Sequence, residues 1–278
     1  MKRIGLTLGG GGARGLCQIE FLKVLDEFGV KPVVISGTSI GAIIGAFYAS
    51  GFSGKQIEKI LEDINFRDLL KMFDPSFLSR TSLIKGKGVE EFLKQKIPAS
   101  TFEELQIPMK IVATDFWKRN DVVYDSGELI PAIRASMSIP ALFKPVVFEN
   151  RVLTDGGVSN ILPFDLIRKD CDLLIAIDVS GSLSVPATPK IPNWFENIMN
   201  TYQIMQSAMV EYQMKSCKPD IYIKPALTDV GILDFEKSHR ILRSVQKDVL
   251  FLRKELNKHL ENKKKTPFVK ELFKRKKS

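Results

Sequence analysis

Residues 2–50 read KRIGLTLGGGGARGLCQIEFLKVLDEFGVKPVVISGTSIGAIIGAFYAS. Short apolar runs and helical spacing predict four elements in this stretch: a strand at 2–8, a helix at 14–28, a strand at 32–36 and a helix at 42–50. Glycine-rich turns join each strand to the helix that follows it. Because strands and helices that alternate along a chain form a parallel sheet covered by helices, we expect an α/β fold.

The rest of the chain continues the same alternation. Further strands are predicted at 109–114, 122–124, 146–153, 173–179 and 220–224, and further helices at 54–64, 89–96, 191–215 and 235–262. No internal repeat or long flexible linker divides these elements. We therefore expect one domain over residues 1–262, followed by a short basic tail at 263–278.

The composition is that of an ordinary globular protein. Of the 278 residues, 44% are hydrophobic and 26% are charged, and no apolar run is long enough to cross a membrane. The apolar segment after Met1 is interpreted as a strand rather than a signal peptide. The three cysteines are odd in number, far apart and without metal-ligand spacing, which predicts a reducing compartment, a cytoplasmic location and no bound metal.

The net charge of +9 is concentrated at the C-terminus. Residues 253–278 contain 11 Lys or Arg and 3 Glu, a net charge of +8, so the first 252 residues carry +1. In the tail, basic residues surround an apolar helical side formed by Phe268, Val269, Leu272 and Phe273. This pattern predicts peripheral contact with an anionic membrane, with a solvated tail as the alternative. Nucleic-acid binding is not expected, because the basic residues accompany no aromatic stacking platform.

The pentapeptide Gly37-Thr38-Ser39-Ile40-Gly41 joins the second predicted strand to the next helix. Gly-x-Ser-x-Gly in this context is typical of the nucleophile elbow, a turn so sharp that its flanking positions require glycine. The amide of Ile40, at the helix start, could point at a developing oxyanion. Ser39 is therefore the candidate nucleophile, although the same pattern also occurs by chance in loops.

The glycine-rich loop after the first strand has two functional interpretations. Gly10-x-Gly12-x-x-Gly15 fits the dinucleotide fingerprint, which also requires an acidic residue about 20 positions later, where this chain has Ile35-Ser36. Alternatively, bare backbone amides form an oxyanion hole and so account for the glycines and Ser39 together. The candidate donors are the amides of Gly10, Gly11 and Gly12. A purely structural turn also remains open, and Arg14 either organises the loop or lies exposed at the helix start.

A serine hydroxyl needs a neighbouring base, and histidine usually fills that role. The two histidines, His239 and His259, fall in a charged helical segment near the C-terminus, where solvated surface positions are expected. Asp155 is the better candidate, because Asp155-Gly156-Gly157 follows an apolar strand in a tight loop that could present the carboxylate at the sheet edge. By itself, Asp-Gly-Gly is more often only a turn.

Three blocks of the chain resemble, in order and spacing, the signature of the patatin-like phospholipases. They are LGGGGARG at 8–15, GTSIGA at 37–42 and DGG at 155–157. Shorter blocks agree at 113–115, 134–136, 139–140 and 160–163, so the resemblance runs over about residues 2–181.

The resemblance implies a three-layer α/β/α sandwich with a mainly parallel central sheet. It implies hydrolysis of phospholipid or lysophospholipid esters through an acyl-enzyme, with Ser39 as nucleophile, Asp155 as base without a histidine, and oxyanion amides from the glycine loop. The supporting motif residues are Arg14, Gly15, Gly37, Gly41, Gly156 and Gly157. No metal or cofactor is implied. A thioesterase or acyltransferase with the same dyad, and a nucleotide-binding regulatory protein, remain the alternatives.

Two features depart from the family pattern or extend beyond it. Family members often carry a histidine and a glycine where this chain has Gln18 and Glu20, and the region after Gly181 matches no block of the family. An apolar segment at 66–78 predicts a lid or acyl-chain wall, or equally a core helix. An apolar stripe between 194 and 214 predicts core or a protein interface more than acyl binding.

Overall fold

The computed structural model describes residues 2–63, 84–182, 188 and 191–261. The apolar segment at 66–78 and the basic tail at 263–278 lie outside the described residues. The domain boundary at 262 and membrane contact by the tail therefore stay predictions. None of the helices in the described ranges is both long enough and apolar enough to cross a membrane.

One sheet of eight strands forms the centre of the described part of the chain. The strands are β1 (Ile4–Leu8), β2 (Val34–Thr38), β3 (Met109–Asp115), β4 (Asn120–Tyr124), β5 (Val146–Phe148), β6 (Arg151–Asp155), β7 (Leu173–Ile177) and β8 (Ile221–Ile223). Their order is β5-β6-β3-β2-β1-β7-β8, with β4 paired to β3. β1, β2, β3, β7 and β8 pair in parallel, whereas β4 and β6 are antiparallel to β3 and β5 is antiparallel to β6. The predicted α/β fold with a mainly parallel sheet is confirmed.

Helices and short 3-10 turns connect these strands. Within the described ranges, the α-helices are α1 (Gln18–Glu27), α2 (Ile40–Ala49), α3 (Gly54–Glu62), α4 (Lys87–Lys96), α5 (Leu129–Ser136), α6 (Trp194–Ser216), α7 (Ser238–Ser244) and α8 (Gln246–Glu261). Because β1, β2 and β3 run in the same direction, the loops that follow them meet at one edge of the sheet. That edge is where ligands bind in open α/β sheets.

The sheet has an apolar core on each face, which produces the three layers. The larger core joins Leu8 and Ile35 of the sheet to Leu22 of α1, Ile44 of α2 and Leu252 of α8, all of them buried. The smaller core is formed by sheet residues, the segment before β7 and helix α6. Its members include Val34, Leu174, Ala176, Phe164, Ile167 and Val210.

Two long predicted elements are interrupted in the structure. The strand predicted at 146–153 is the hairpin β5–β6, because Glu149 and Asn150 adopt positive φ angles of 47° and 56° and reverse the chain. Positive φ at both central residues suits the twist of a two-residue hairpin, but the pair lacks the glycine that would have revealed it. The helix predicted at 235–262 is a 3-10 turn, α7 and α8, with a break at Val245.

Two further differences concern helices. The helix predicted at 14–28 begins as a 3-10 turn at Gly12–Cys17, and α1 starts only at Gln18. Helix α5 was not predicted, because Pro131 interrupts its pattern. Pro131 is the third residue of the helix, where a backbone amide has no intrahelical partner to lose.

Candidate active site

Ser39 occupies a strained turn between β2 and α2. Its backbone has φ 56° and ψ −123°, a conformation that residues with a side chain rarely adopt, and its amide donates to Ser136 Oγ at 2.9 Å. A Cβ on Gly37 would lie 2.7 Å from the carbonyl oxygen of Gly41, and a Cβ on Gly41 would overlap the carbonyl of Leu8. The motif glycines are therefore required by close backbone contacts, as expected for a nucleophile elbow.

The glycine loop lies beside this turn, but its amides are not equivalent. The amide of Gly10 donates to the carbonyl oxygen of Ile161 at 3.0 Å, so the oxyanion role predicted for Gly10 would require this bond to break. The amides of Gly11, Gly12 and Ile40 donate no hydrogen bond to any described residue. These three amides are thus available to a ligand. Gly15 is needed for a different reason, because a Cβ there would overlap the Ile40 side chain.

Two buried side chains hold the glycine loop in shape. Arg14 is 2% exposed, which excludes the exposed alternative, and its Nε donates to the carbonyl of Gly11 at 3.2 Å. Burial lowers the pKa of Arg14 to about 10, while Asp178 and Asp234 act in the opposite direction. Gln18, which departs from the family pattern, donates from Nε2 to the carbonyl of Gly9 at 2.7 Å. Gln18 therefore helps to hold the glycine loop, although it departs from the family pattern.

Asp155 ends β6, opposite Ala113 of β3, and is 1% exposed. Its Oδ1 accepts hydrogen bonds from the Gly157 amide at 2.7 Å and from Tyr202 Oη at 3.5 Å. Its Oδ2 is buried with no hydrogen-bond partner among the described residues. Burial raises the pKa of Asp155 to about 7, against the opposing effects of the Gly157 amide and the Ser39 and Tyr202 hydroxyls. The Ser39 hydroxyl is thus close enough to influence the carboxyl group, although no short bond to Oδ2 is formed.

Ser39 and Asp155 line one small cavity together with Gly11, Gly12 and Arg14. The structure thus brings together residues from three distant parts of the chain. The remaining motif residues hold this arrangement, since a Cβ on Gly156 would overlap the carbonyl of Val112. In addition, Thr38 Oγ1 donates to the carbonyl of Asn160 at 2.8 Å, and this bond connects the loop after β6 to β2.

Helix α6 contributes residues to the site that the sequence motifs do not include. Tyr202 contacts Asp155, and Gln206 Nε2 donates to the carbonyl of Gly157 at 3.2 Å. Burial and the nearby Asp155 raise the pKa of Tyr202 well above its usual value, so its hydroxyl stays protonated and can donate. The i, i+4 spacing of Tyr202, Gln206 and buried Val210 marks the inward face of α6. That spacing is the sequence signal that could have indicated these residues. They belong to the apolar stripe between 194 and 214, which was assigned to core or a protein interface.

Neither histidine contacts the Ser39–Asp155 pair. His239 is exposed, lines a second, larger cavity and makes no hydrogen bond to a described residue. His259 lies on α8, where its Nδ1 is 3.3 Å from Lys2 Nζ. In the described ranges, no group of three or more His, Cys, Asp or Glu could hold a metal ion.

A larger, mostly apolar cavity of about 360 Å³ also borders Ser39. Most of its walls are apolar, including Leu16, Ile43, Phe92, Leu93, Met137 and Phe143, and Glu58, Glu62, Glu236 and His239 also border it. Its volume is in the lower part of the range of pockets that bury a small molecule, roughly 300–1,000 Å³. An apolar chain attached to a group at Ser39 would fit such a space.

A family model for patatin-like phospholipases matches residues 6–167, which include Ser39, Asp155 and all of the glycine motifs. The chain belongs to the patatin-like phospholipase family. This patatin-like protein is 32% identical over 210 residues to an uncharacterized NTE family protein of Mycobacterium tuberculosis (strain ATCC 25618 / H37Rv), covering 75% of this chain and 58% of that relative. It is 28% identical over 266 residues to lysophospholipase NTE1 of Kluyveromyces lactis, covering 86% of this chain and 18% of that relative. The chain therefore spans less than two thirds of the length of either relative.

Among solved structures, VipD from Legionella pneumophila has the same fold. It matches with a TM-score of 0.51 and 14% sequence identity, over 91% of this chain and 66% of that chain. The patatin-like family model ends before α6, so Tyr202 and Gln206 lie outside the matched residues.

Proposed function

We propose that this patatin-like protein is a serine hydrolase that cleaves the carboxylic esters of phospholipids or lysophospholipids through a Ser39–Asp155 dyad. One observation supports this most directly. The unpartnered Oδ2 of buried Asp155, the strained Ser39 and the unpaired amides of Gly11 and Gly12 border the same cavity. A base, a nucleophile and oxyanion donors are the groups that acyl transfer requires.

The reaction would proceed in two halves. Asp155 takes the proton of the Ser39 hydroxyl while Oγ attacks the ester carbonyl carbon, and the amides of Gly11, Gly12 and Ile40 donate to the oxyanion that forms. The ester C–O bond then breaks, and the leaving alcohol takes the proton from Asp155. In the second half, Asp155 removes a proton from the water that attacks the acyl-enzyme. The bond between the acyl carbon and Ser39 Oγ then breaks, the proton returns from Asp155 to Oγ, and the fatty acid leaves.

The cavity beside Ser39 supports a substrate with a long acyl chain. Its walls are mostly apolar, although Glu58, Glu62 and Glu236 also border it, and its volume of about 360 Å³ favours one chain over two. A single-chain lysophospholipid is therefore the preferred substrate within the proposal. The name of the Kluyveromyces relative, a lysophospholipase, agrees with that preference. A thioesterase or acyltransferase remains the alternative, because the same dyad would serve either of them.

The proposal is tested by a fluorophosphonate probe and a lipid panel. The probe should label one serine, Ser39, and the enzyme should release fatty acid from lysophospholipids faster than from two-chain phospholipids. Liquid chromatography with mass spectrometry measures both results. A folded protein that neither labels nor releases fatty acid would contradict the hydrolase. Faster cleavage of acyl thioesters than of any oxygen ester would favour the thioesterase.

Substitution of Tyr202 by phenylalanine should change the pH dependence of catalysis. The Tyr202 hydroxyl donates to Asp155 and helps the carboxylate form, so its removal should raise the pKa of Asp155 above its present value of about 7. Since the base must be deprotonated, the rising limb of kcat/KM should move up by about half to one pH unit. Activity should fall about three- to tenfold at pH 6 and recover at pH 9.

The matched control is Tyr212→Phe, on the same helix but 73% exposed, which should leave the profile unchanged. Equal loss of activity at every pH in Tyr202→Phe would mean that Tyr202 acts only in packing.

A further inference from the structure

The turn between β3 and β4 displays two aromatic side chains to solvent. In this turn, residues 116–119, Phe116 is 51% exposed and Trp117 is 74% exposed. Their ring centroids are 5.0 Å apart and the rings are nearly perpendicular, at 89°. Aromatic residues usually bury most of their surface, so a neighbouring exposed pair calls for an explanation.

The turn is held in one conformation by a buried carboxylate. Asp115 is 3% exposed, and its Oδ1 accepts hydrogen bonds from the amides of Trp117 at 3.1 Å and Lys118 at 3.0 Å. The amide of Phe116 donates to the carbonyl of Val152 at 2.9 Å, and that of Arg119 to the carbonyl of Asp115 at 2.9 Å. These bonds fix the backbone that carries the aromatic pair.

Basic side chains accompany the aromatic pair. Lys118 and Arg119 follow directly, are exposed and form no ion pair with any described residue. The nearest acid along the chain that faces solvent is Asp121 on β4. Tryptophan and phenylalanine next to lysine and arginine match the boundary between acyl chains and anionic head groups in a bilayer.

The position of the turn relates it to the candidate active site. On β3, Val112 pairs with Thr38, which precedes Ser39, and Ala113 pairs with Asp155. The turn begins three residues after Ala113, so it extends roughly 10 Å past Asp155 along the strand direction. A surface that contacted the turn would face the sheet edge where Ser39 and Asp155 lie.

We propose that residues 116–119 are a contact site for a lipid bilayer, with Phe116 and Trp117 in the interfacial layer and Lys118 and Arg119 against anionic head groups. The role of this contact rests on the proposed function, because the contact would bring the dyad to the surface that contains its lipid substrate. The contact itself does not depend on that function. A second copy of the chain fits less well. A four-residue turn is far smaller than the roughly 800 Å² per partner of a stable interface, and like charges would face each other across a symmetric contact.

Tryptophan fluorescence tests the contact directly. The chain has only two tryptophans, Trp117 and Trp194, so one substitution isolates the signal of Trp117. The full-length Trp194→Phe variant retains only Trp117. With vesicles of ether-linked phosphatidylcholine and phosphatidylglycerol, which an ester hydrolase leaves intact, its emission should shift to shorter wavelength. Ether-linked lipids brominated in their hydrocarbon chains should quench it. The Trp117→Phe variant, which retains Trp194 on α6, shows whether any change belongs to the turn.

Unchanged Trp117 emission at saturating vesicle concentration would overturn the proposal, as would the absence of vesicle binding. A shift that appears with rising protein concentration, without vesicles, would indicate a second copy and would also overturn it.

A double variant, Phe116→Ser with Trp117→Ser, provides the functional comparison. Its hydrolysis of a soluble short-chain ester should equal that of the unaltered chain, whereas its activity on vesicle lipid should fall about tenfold or more. A double variant that matches the unaltered chain on the soluble ester and on vesicle lipid would contradict the contact site. If the unaltered chain cleaves neither substrate, the proposed function fails, while Trp117 fluorescence still decides the membrane contact.

Discussion

Ser39→Ala should abolish ester hydrolysis and fluorophosphonate labelling while leaving the protein folded. The substitution removes the attacking oxygen, so kcat should fall by several orders of magnitude, as it does when the nucleophile of a serine hydrolase is deleted. The hydroxyl borders a cavity, and its removal leaves the bond from the Ser39 amide to Ser136 Oγ in place, so the unfolding temperature should change little. Steady-state kinetics, mass spectrometry of the labelled protein and circular dichroism measure the three results.

Ser50→Ala is the matched control for this variant. Ser50 is also buried, but its hydroxyl donates to the carbonyl of Ala46 at the end of α2, away from the dyad. It should keep both labelling and activity. Retained labelling in a folded Ser39→Ala protein would remove the basis of the proposed mechanism.

The parts of the site that lie in local motifs could be predicted from the sequence. The Gly-x-Ser-x-Gly turn requires glycine because of contacts among neighbouring residues, which makes the pattern visible along the chain. The mainly parallel sheet followed from the alternation of strands and helices. The hairpin of β5 and β6 was not predicted, because Glu149 and Asn150 reverse the chain without a glycine.

Contacts between distant segments could not be predicted in the same way. Gly10, Gly11 and Gly12 are identical in sequence, and only the carbonyl of Ile161 distinguishes the Gly10 amide from its neighbours. Tyr202 reaches Asp155 because α6 packs across the loop after β6, although 47 residues separate the two along the chain. The sequence places Tyr202 in an apolar stripe, and its role depends on which face of that helix turns inward.

Asp155→Asn should lose activity by several orders of magnitude, because an amide has nearly the shape of the carboxyl group but cannot accept the serine proton. In the unaltered enzyme kcat/KM should rise with pH through about 7, as Asp155 loses its proton, and this limb should be absent from any residual activity of the variant. His239→Ala and His259→Ala should change kcat little. A loss in His239→Ala as large as that in Asp155→Asn would mean that the base is a histidine.

The same carboxyl group should also make stability depend on pH in a way that identifies it. Its pKa is raised in the folded protein from 3.8 to about 7, chiefly by burial, so the folded state binds more protons than the unfolded state between those values. The contribution of Asp155 to the free energy of unfolding is therefore fully present below about pH 4 and is lost as pH rises through about 7. Subtracting the curve of Asp155→Asn from that of the unaltered protein, each measured by urea denaturation, should isolate this decline. A difference that stays constant from pH 4 to pH 8 would show that Asp155 is ionised over this whole range. Its pKa would then be too low for a general base that works near neutral pH.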